Sequence, residues 1–115
     1  SMALTFPLPP GNNAVVGQVT QVKAKMGDTL SKIARDNDIG YYELLEANPK
    51  LNPMRVVAGT PLVIPTQYVL PDSPRDGITI NLAELRLYYY PPGQNVVVTK
   101  PISIGRQGWN TPEGT

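Results

Sequence analysis

Residues 22–65 read VKAKMGDTLSKIARDNDIGYYELLEANPKLNPMRVVAGTPLVIP, and this stretch carries a complete small module in the order strand, helix, helix, strand. Residues 23–25 are predicted as a short strand, with Gly27 turning the chain after it. Asp28 stands at the expected N-cap, its carboxylate placed for the free N–H groups of Leu30 and Ser31. Leu30, Ile33 and Ala34 recur at i, i+3 and i+4, the apolar stripe of a short helix that Asp36-Asn37-Asp38 ends. A second helix is predicted after Gly40. Glu43 falls in its first turn, where a carboxylate suits the helix dipole. Tyr41, Leu44, Leu45 and Ala47 are its apolar residues, and Asn48-Pro49 stops it because proline cannot continue the hydrogen-bond ladder. After a loop rich in proline and glycine, residues 60–64 return as a strand. Leu30, Ile33, Leu44, Leu45, Leu62 and Ile64 are the expected core.

The whole chain of 115 residues exceeds this module by more than half its length. Ten basic and nine acidic residues leave a net charge of +1. They form no basic stripe, so no nucleic-acid partner is expected. No apolar run approaches the roughly 18 residues of a membrane span, so no membrane insertion is expected. No signal peptide is visible, as in a secreted chain from which it has been removed. Cysteine and histidine are both absent. Their absence removes disulfides, thiol nucleophiles, thiolate metal sites and the commonest general base together. No metal and no cofactor are expected.

Ser1-Met2 has the look of a tag remnant. Residues 3–10, ALTFPLPP, are apolar and proline-rich, an extended arm suited to lying against a surface. Gly11-Asn12-Asn13 signals a turn, and residues 14–25 suit one long strand or two short ones. Residues 1–21 are accordingly read as remnant and arm. Residues 66–77, TQYVLPDSPRDG, are read as a linker with a turn. Beyond it Ile78, Ile80 and Leu82 alternate with polar residues, the pattern of a half-buried strand. In LRLYYY, Leu85, Leu87 and Tyr89 share one face while Arg86, Tyr88 and Tyr90 share the other. Two further strands are expected, at 96–99 and 102–105, completing an antiparallel meander of about four strands that ends in RQGWNTPEGT.

MGDTLSKIA, ELLEANPKL and GTPLVIP at these spacings closely resemble a LysM domain over the whole of residues 22–65. The resemblance implies a βααβ fold with both helices on one side of a two-stranded antiparallel sheet. It also implies binding to glycans that contain N-acetylglucosamine, in bacteria usually peptidoglycan.

The rest of the chain resembles another family. LPDSPRDGITINLAELRLYYYPPG and PISIGRQGWNTPEGT are similar to the opening of the catalytic domain of YkuD-type L,D-transpeptidases. An N-terminal LysM module joined to such a domain is similar to periplasmic enzymes of Gram-negative bacteria that cross-link peptidoglycan or attach an outer-membrane lipoprotein to it. The resemblance implies a periplasmic location and peptidoglycan glycan strands as the partner. That family carries its active site in a motif of the type HGT…SHGCIRM, where a cysteine thiolate forms a thioester while a histidine moves its proton. Neither residue occurs here, and no serine–lysine substitute is evident. No catalytic residue is assigned, and residues 78–115 are read as a partial catalytic domain lacking the active site. The expected fold class is α+β: a βααβ LysM module followed by an antiparallel β-meander, the incomplete start of an all-β catalytic domain.

The candidate glycan site is a shallow groove between the loops 26–30 and 52–59, made of Gly27, Asp28, Thr29, Leu30, Pro53, Met54, Arg55 and Val56. Gly27 admits a sugar close to the backbone, and Leu30, Met54 and Val56 supply apolar contacts under the ring faces. The competing reading leaves Asp28 a helix cap and Leu30 a core residue. Without a tryptophan platform, affinity should be millimolar to micromolar, about 4–8 kcal/mol. Tyr41 and Tyr42 point about 100° apart on a helix, so one is expected to pack and the other to cover the surface. Lys32, Arg35, Lys50 and Arg55 read as solvated charges, with Arg55 also able to meet a peptidoglycan carboxylate.

Three functions fit. The chain is a glycan-binding part of an L,D-transpeptidase, inert by itself; or the ordered part of a longer active enzyme; or a LysM-fold interaction module without glycan binding. Ile80, Leu85, Leu87, Tyr89, Val97 and Ile104 are expected to present apolar surface on the meander. Contacts beyond its own strands must therefore hold it: the module, the arm, a missing remainder or a second copy. A homodimer through residues 78–105 is the preferred source if the intact mass matches these 115 residues alone.

Overall fold

The computed structural model describes residues 3–103. In chain order the elements are β1 (Leu4–Pro7), β2 (Val15–Gly17), β3 (Thr20–Lys23), α1 (Leu30–Asp36), α2 (Tyr41–Ala47), β4 (Pro61–Ile64), β5 (Gln67–Val69), β6 (Gly77–Asn81), β7 (Arg86–Tyr90) and β8 (Val96–Pro101). The class is α+β, as the sequence predicts. β3 pairs antiparallel with β4, and the two short helices close over this pair. Leu30, Ile33, Ala34, Ile39, Leu44, Leu62 and Ile64 are all buried in one cluster with Ala24, and Leu45 packs against it only partly buried.

Several local assignments shift. The first strand is Thr20–Lys23, earlier than residues 23–25, because Ala24 has already entered the core and ties the loops instead: its N–H donates to Thr60 O and its carbonyl accepts from Gly59 N, both at 2.8 Å. The helix α1 is capped by Thr29, not Asp28. Thr29 Oγ1 accepts from Lys32 N at 3.1 Å, whereas the Asp28 carboxylate folds back to accept from Lys25 N at 2.8 Å. Gly27, at φ +84°, makes that reversal possible. At α2 the expectations hold: Gly40 precedes it, and Glu43 Oε1 accepts from Gly40 N at 2.8 Å. Asn48 ends it and does a second job. Its amide donates to Val63 O and its carbonyl oxygen accepts from Val63 N, so the outer edge of β4 is satisfied by a side chain.

A second core contains Val16, Tyr68, Leu70, Tyr88, Tyr90 and Val97, with Leu4, Phe6, Leu8 and Ala14 packed against it. It belongs to a four-stranded antiparallel sheet in the order β1-β8-β7-β6 and to the pair β2-β5. Thus residues before and after the module build one body together. The arm is a sheet strand, with Thr5 opposite Val98. The stretch 66–77 is not a plain linker: it contains β5, and Tyr68 and Leu70 are buried. Between its prolines, QYVL alternates inward and outward, and its partner β2 lies about 50 residues earlier in the chain. The meander has three strands among the described residues. β8 runs through Lys100-Pro101, Ile102 and Ser103 are not in a strand, and Ile104 and Gly105 lie outside the described residues. Val97 is buried on the Tyr88 face, opposite to the expectation, because the register Tyr88–Thr99 and Tyr89–Val98 fixes its parity. Ile80, Leu85 and Tyr89 are exposed as expected, while Leu87 is half-buried. Within the single chain, the arm and the module already supply the contacts that hold the meander.

Burial pushes the hydroxyl pKa of Tyr68, Tyr88 and Tyr90 upward, and at Tyr88 the bond to Glu84 (2.8 Å) adds to it. A raised folded pKa means that the folded state holds its protons longer than the unfolded chain does. Stability is therefore full below pH 10, near the unfolded value, and falls as pH rises beyond it. Phenolate absorbance should report this: Tyr68 and Tyr88 should ionise only with unfolding, and Tyr90 later than a free phenol. Tyr68 and Tyr88 titrating near pH 10 in a still-folded chain would contradict the packing.

Candidate functional site

The loops before α1 and before β4 leave the same end of the β3–β4 pair, since Ala24 bonds both Gly59 and Thr60. They form one exposed tip. On the first loop, Asp28 and Lys25 bond each other's backbone, Asp28 N donating to Lys25 O at 3.0 Å. On the second, Asn52 Oδ1 accepts from Met54 N at 2.9 Å and Asn52 O from Arg55 N at 3.1 Å. Each loop is therefore shaped by its own internal hydrogen bonds before any ligand arrives.

Of the eight sequence-predicted residues, Gly27, Thr29, Pro53, Met54 and Arg55 are exposed at this tip, and Asp28 and Val56 are half-buried. A Cβ built at Gly27 would meet nothing within 4 Å, so its backbone is open to close approach. Leu30 is the correction. At 2% exposure it lies in the module core, as the first inward residue of α1, and offers no surface to a sugar. Val56 also packs against that core. The apolar surface comes instead from Met26 and Met54, 91% and 89% exposed, together with Val57. Met26 and Val57 were not predicted. Their signal in the sequence is an apolar residue in a loop with no periodic partner, and solvent exposure alone gives it meaning. Unbranched thioether side chains adapt their shape to irregular partners.

Tyr41 and Tyr42 behave as the helix geometry requires. Tyr41 packs against the core while Tyr42 is exposed, and the rings meet edge to face at 5.4 Å. They border a cleft of about 520 Å³ between α2 and the β6–β7 turn, with Glu43, Glu84 and Leu85 on its walls. Among the described residues no cluster of His, Cys, Asp and Glu is placed to hold a metal ion. No described helix is long and apolar enough to cross a membrane.

The LysM domain family matches residues 22–65, a span that takes in the second half of β3, both helices and β4. Residues 22–65 are a LysM domain. Around the LysM domain the chain is similar to L,D-transpeptidases. Probable L,D-transpeptidase YcfS of Escherichia coli is 49% identical over 110 residues, 95% of this chain and 34% of that protein. Probable L,D-transpeptidase ErfK/SrfK of Salmonella typhimurium is 42% identical over 97% of this chain and 37% of its own length. Probable L,D-transpeptidase YbiS of Escherichia coli is 43% identical over 96% of this chain and 37% of its own length. The chain thus spans about a third of the relatives it matches. The similarity runs through the LysM domain and the sheet alike.

Proposed function

We propose that the chain binds glycan strands of peptidoglycan through the tip of its LysM domain, as part of an L,D-transpeptidase. The observation that carries this is the exposed tip: Met26, Met54 and Val57 stand in solvent on its two loops, and a Cβ built at Gly27 would meet nothing within 4 Å. The contact set is Gly27, Asp28, Thr29, Pro53, Met54, Arg55 and Val56, with Met26 and Val57 added and Leu30 withdrawn. Thioether and valine surface suits the apolar faces of pyranose rings, backbone groups suit acetamido substituents, and Arg55 suits a peptide carboxylate. The periplasm is the compartment in which such a ligand is met.

These 115 residues contain no cysteine and no histidine, so by themselves they hold no thiolate for the transfer reaction. We assign the reaction, which cross-links peptidoglycan or attaches lipoprotein to it, to a longer protein. The sheet supports this second reading. Ile78 and Ile80 are exposed, opposite Tyr89 and Leu87, so one sheet face carries uncovered apolar surface beside an open edge strand. In the isolated 115-residue chain the same face is available to a second copy, and light scattering across a concentration series reads that association.

Sedimentation with purified sacculi tests the binding reading. The chain should pellet with sacculi in excess and form no covalent adduct with a carbapenem. A chain left wholly in the supernatant would favour an interaction module without glycan binding.

A further inference from the structure

We propose that Arg86 is a positioning residue: it clasps the LysM domain to the four-stranded sheet and so fixes the direction in which the domain presents its tip. The two bodies are joined by a two-stranded ribbon in which β2–β5 runs on into β3–β4. Gly17 faces Gln67 and Thr20 faces Ile64, so the register is continuous. Yet neither strand continues through residues 18–19 or 65–66. Pro65 has no N–H to give, and Thr66 Oγ1 reaches across to Gln18 O at 2.8 Å. A two-stranded ribbon is weak on its own, and a gap in its ladder is a place to bend.

Arg86 bridges the two bodies away from that gap. Its side chain is fully buried. Nη1 donates to Thr99 Oγ1 at 3.1 Å, which anchors the guanidinium to its own sheet. Nη2 donates to Asp38 O at 3.1 Å and to Glu43 Oε1 at 3.0 Å, both on the LysM domain. The guanidinium carbon sits 4.0 Å from the centre of the Tyr68 ring on β5. One planar fork therefore holds β8, β5, the α1–α2 loop and α2 together. Asp38 turns its carbonyl from a left-handed conformation, φ +54°. Bending at the gap would pull the domain's acceptors away and leave a buried cation without its carboxylate. Lysine, a point charge on a flexible stem, does not reproduce the fork.

The absence of cysteine allows clean labelling. Lys50→Cys and Leu82→Cys, both at exposed positions, carry spin labels across the two bodies, and dipolar electron paramagnetic resonance reads their separation without any glycan. The parent should give one narrow distance. Arg86→Met, Arg86→Lys and Glu43→Gln should each lose it for a broad spread while amide spectra show both cores still folded. A narrow parent-like distance in all three folded variants would overturn the clasp. Should Arg86→Met fail to fold, Glu43→Gln decides: a broad distance supports the clasp, and a narrow one makes Arg86 only a core residue of the sheet. Because no glycan is used, this outcome is separate from that of the sacculus experiment.

Discussion

Leu44→Ala is expected to unfold the LysM domain or bring it to the edge of unfolding. Leu44 is completely buried on α2, in one cluster with Leu30, Ile33, Leu62 and Ile64. Truncation removes its apolar contacts and leaves a cavity, at a cost of roughly 2–5 kcal/mol. Little else is available to offset that. Each helix has seven residues, too short to persist without the packing between them. A domain of this size buries a smaller fraction of its surface than a large one and has little stability in reserve. Thermal unfolding followed by circular dichroism measures the effect. A variant that melts within about a degree or two of the parent would mean that α2 faces the core with other residues.

Gly17→Ala should damage the junction between the two bodies. Gly17 has φ +74°, a conformation in which an L side chain is strained by about 1–2 kcal/mol. A Cβ there would also collide with the carbonyl oxygen of Thr66 and press on the Phe6 ring at 3.0 Å. A ring edge can move aside, but a backbone oxygen moves only with the ribbon. The total should be roughly 2–4 kcal/mol. Gly27→Ala is the internal control, since it carries φ +84° but open space around its Cβ. Denaturant midpoints of the two variants separate strain from collision. Equal losses would mean that the ribbon passes Thr66 less closely than described.

The LysM domain was legible because its signals are local. The stripe Leu30, Ile33, Ala34 and the punctuation at Gly40 and Asn48-Pro49 each act within a few residues of where they are read. The cap was misread by one position for a physical reason: Asp28 and Thr29 both carry a suitable oxygen, and the turn at Gly27 commits Asp28 to Lys25. The second body was legible only in part. Its alternation in LRLYYY is plain, but the covered face is the one bearing Arg86, which reads as outward in any local window. Its partners Glu43 and Asp38 lie 43 and 48 residues away. The same distance effect hid β5, whose prolines suggest a linker until β2 is beside it. At the tip, Leu30 belongs to the helix stripe and went to the core, while Met26 and Val57 sit in irregular segments that carry no pattern.

Titration of isotope-labelled chain with a β-1,4-linked N-acetylglucosamine tetramer, followed by amide chemical shifts, tests the glycan site most directly. The amides of residues 26–29 and 54–58 should shift together and saturate in the millimolar to micromolar range, about 4–8 kcal/mol, while β6 and β7 stay still. Replacing Met26 and Met54 together by alanine should weaken binding about tenfold, or roughly 1.4 kcal/mol. Saturable shifts confined to the Tyr41–Tyr42 cleft, or no saturable shift at all, would contradict the assignment of the tip as the binding site.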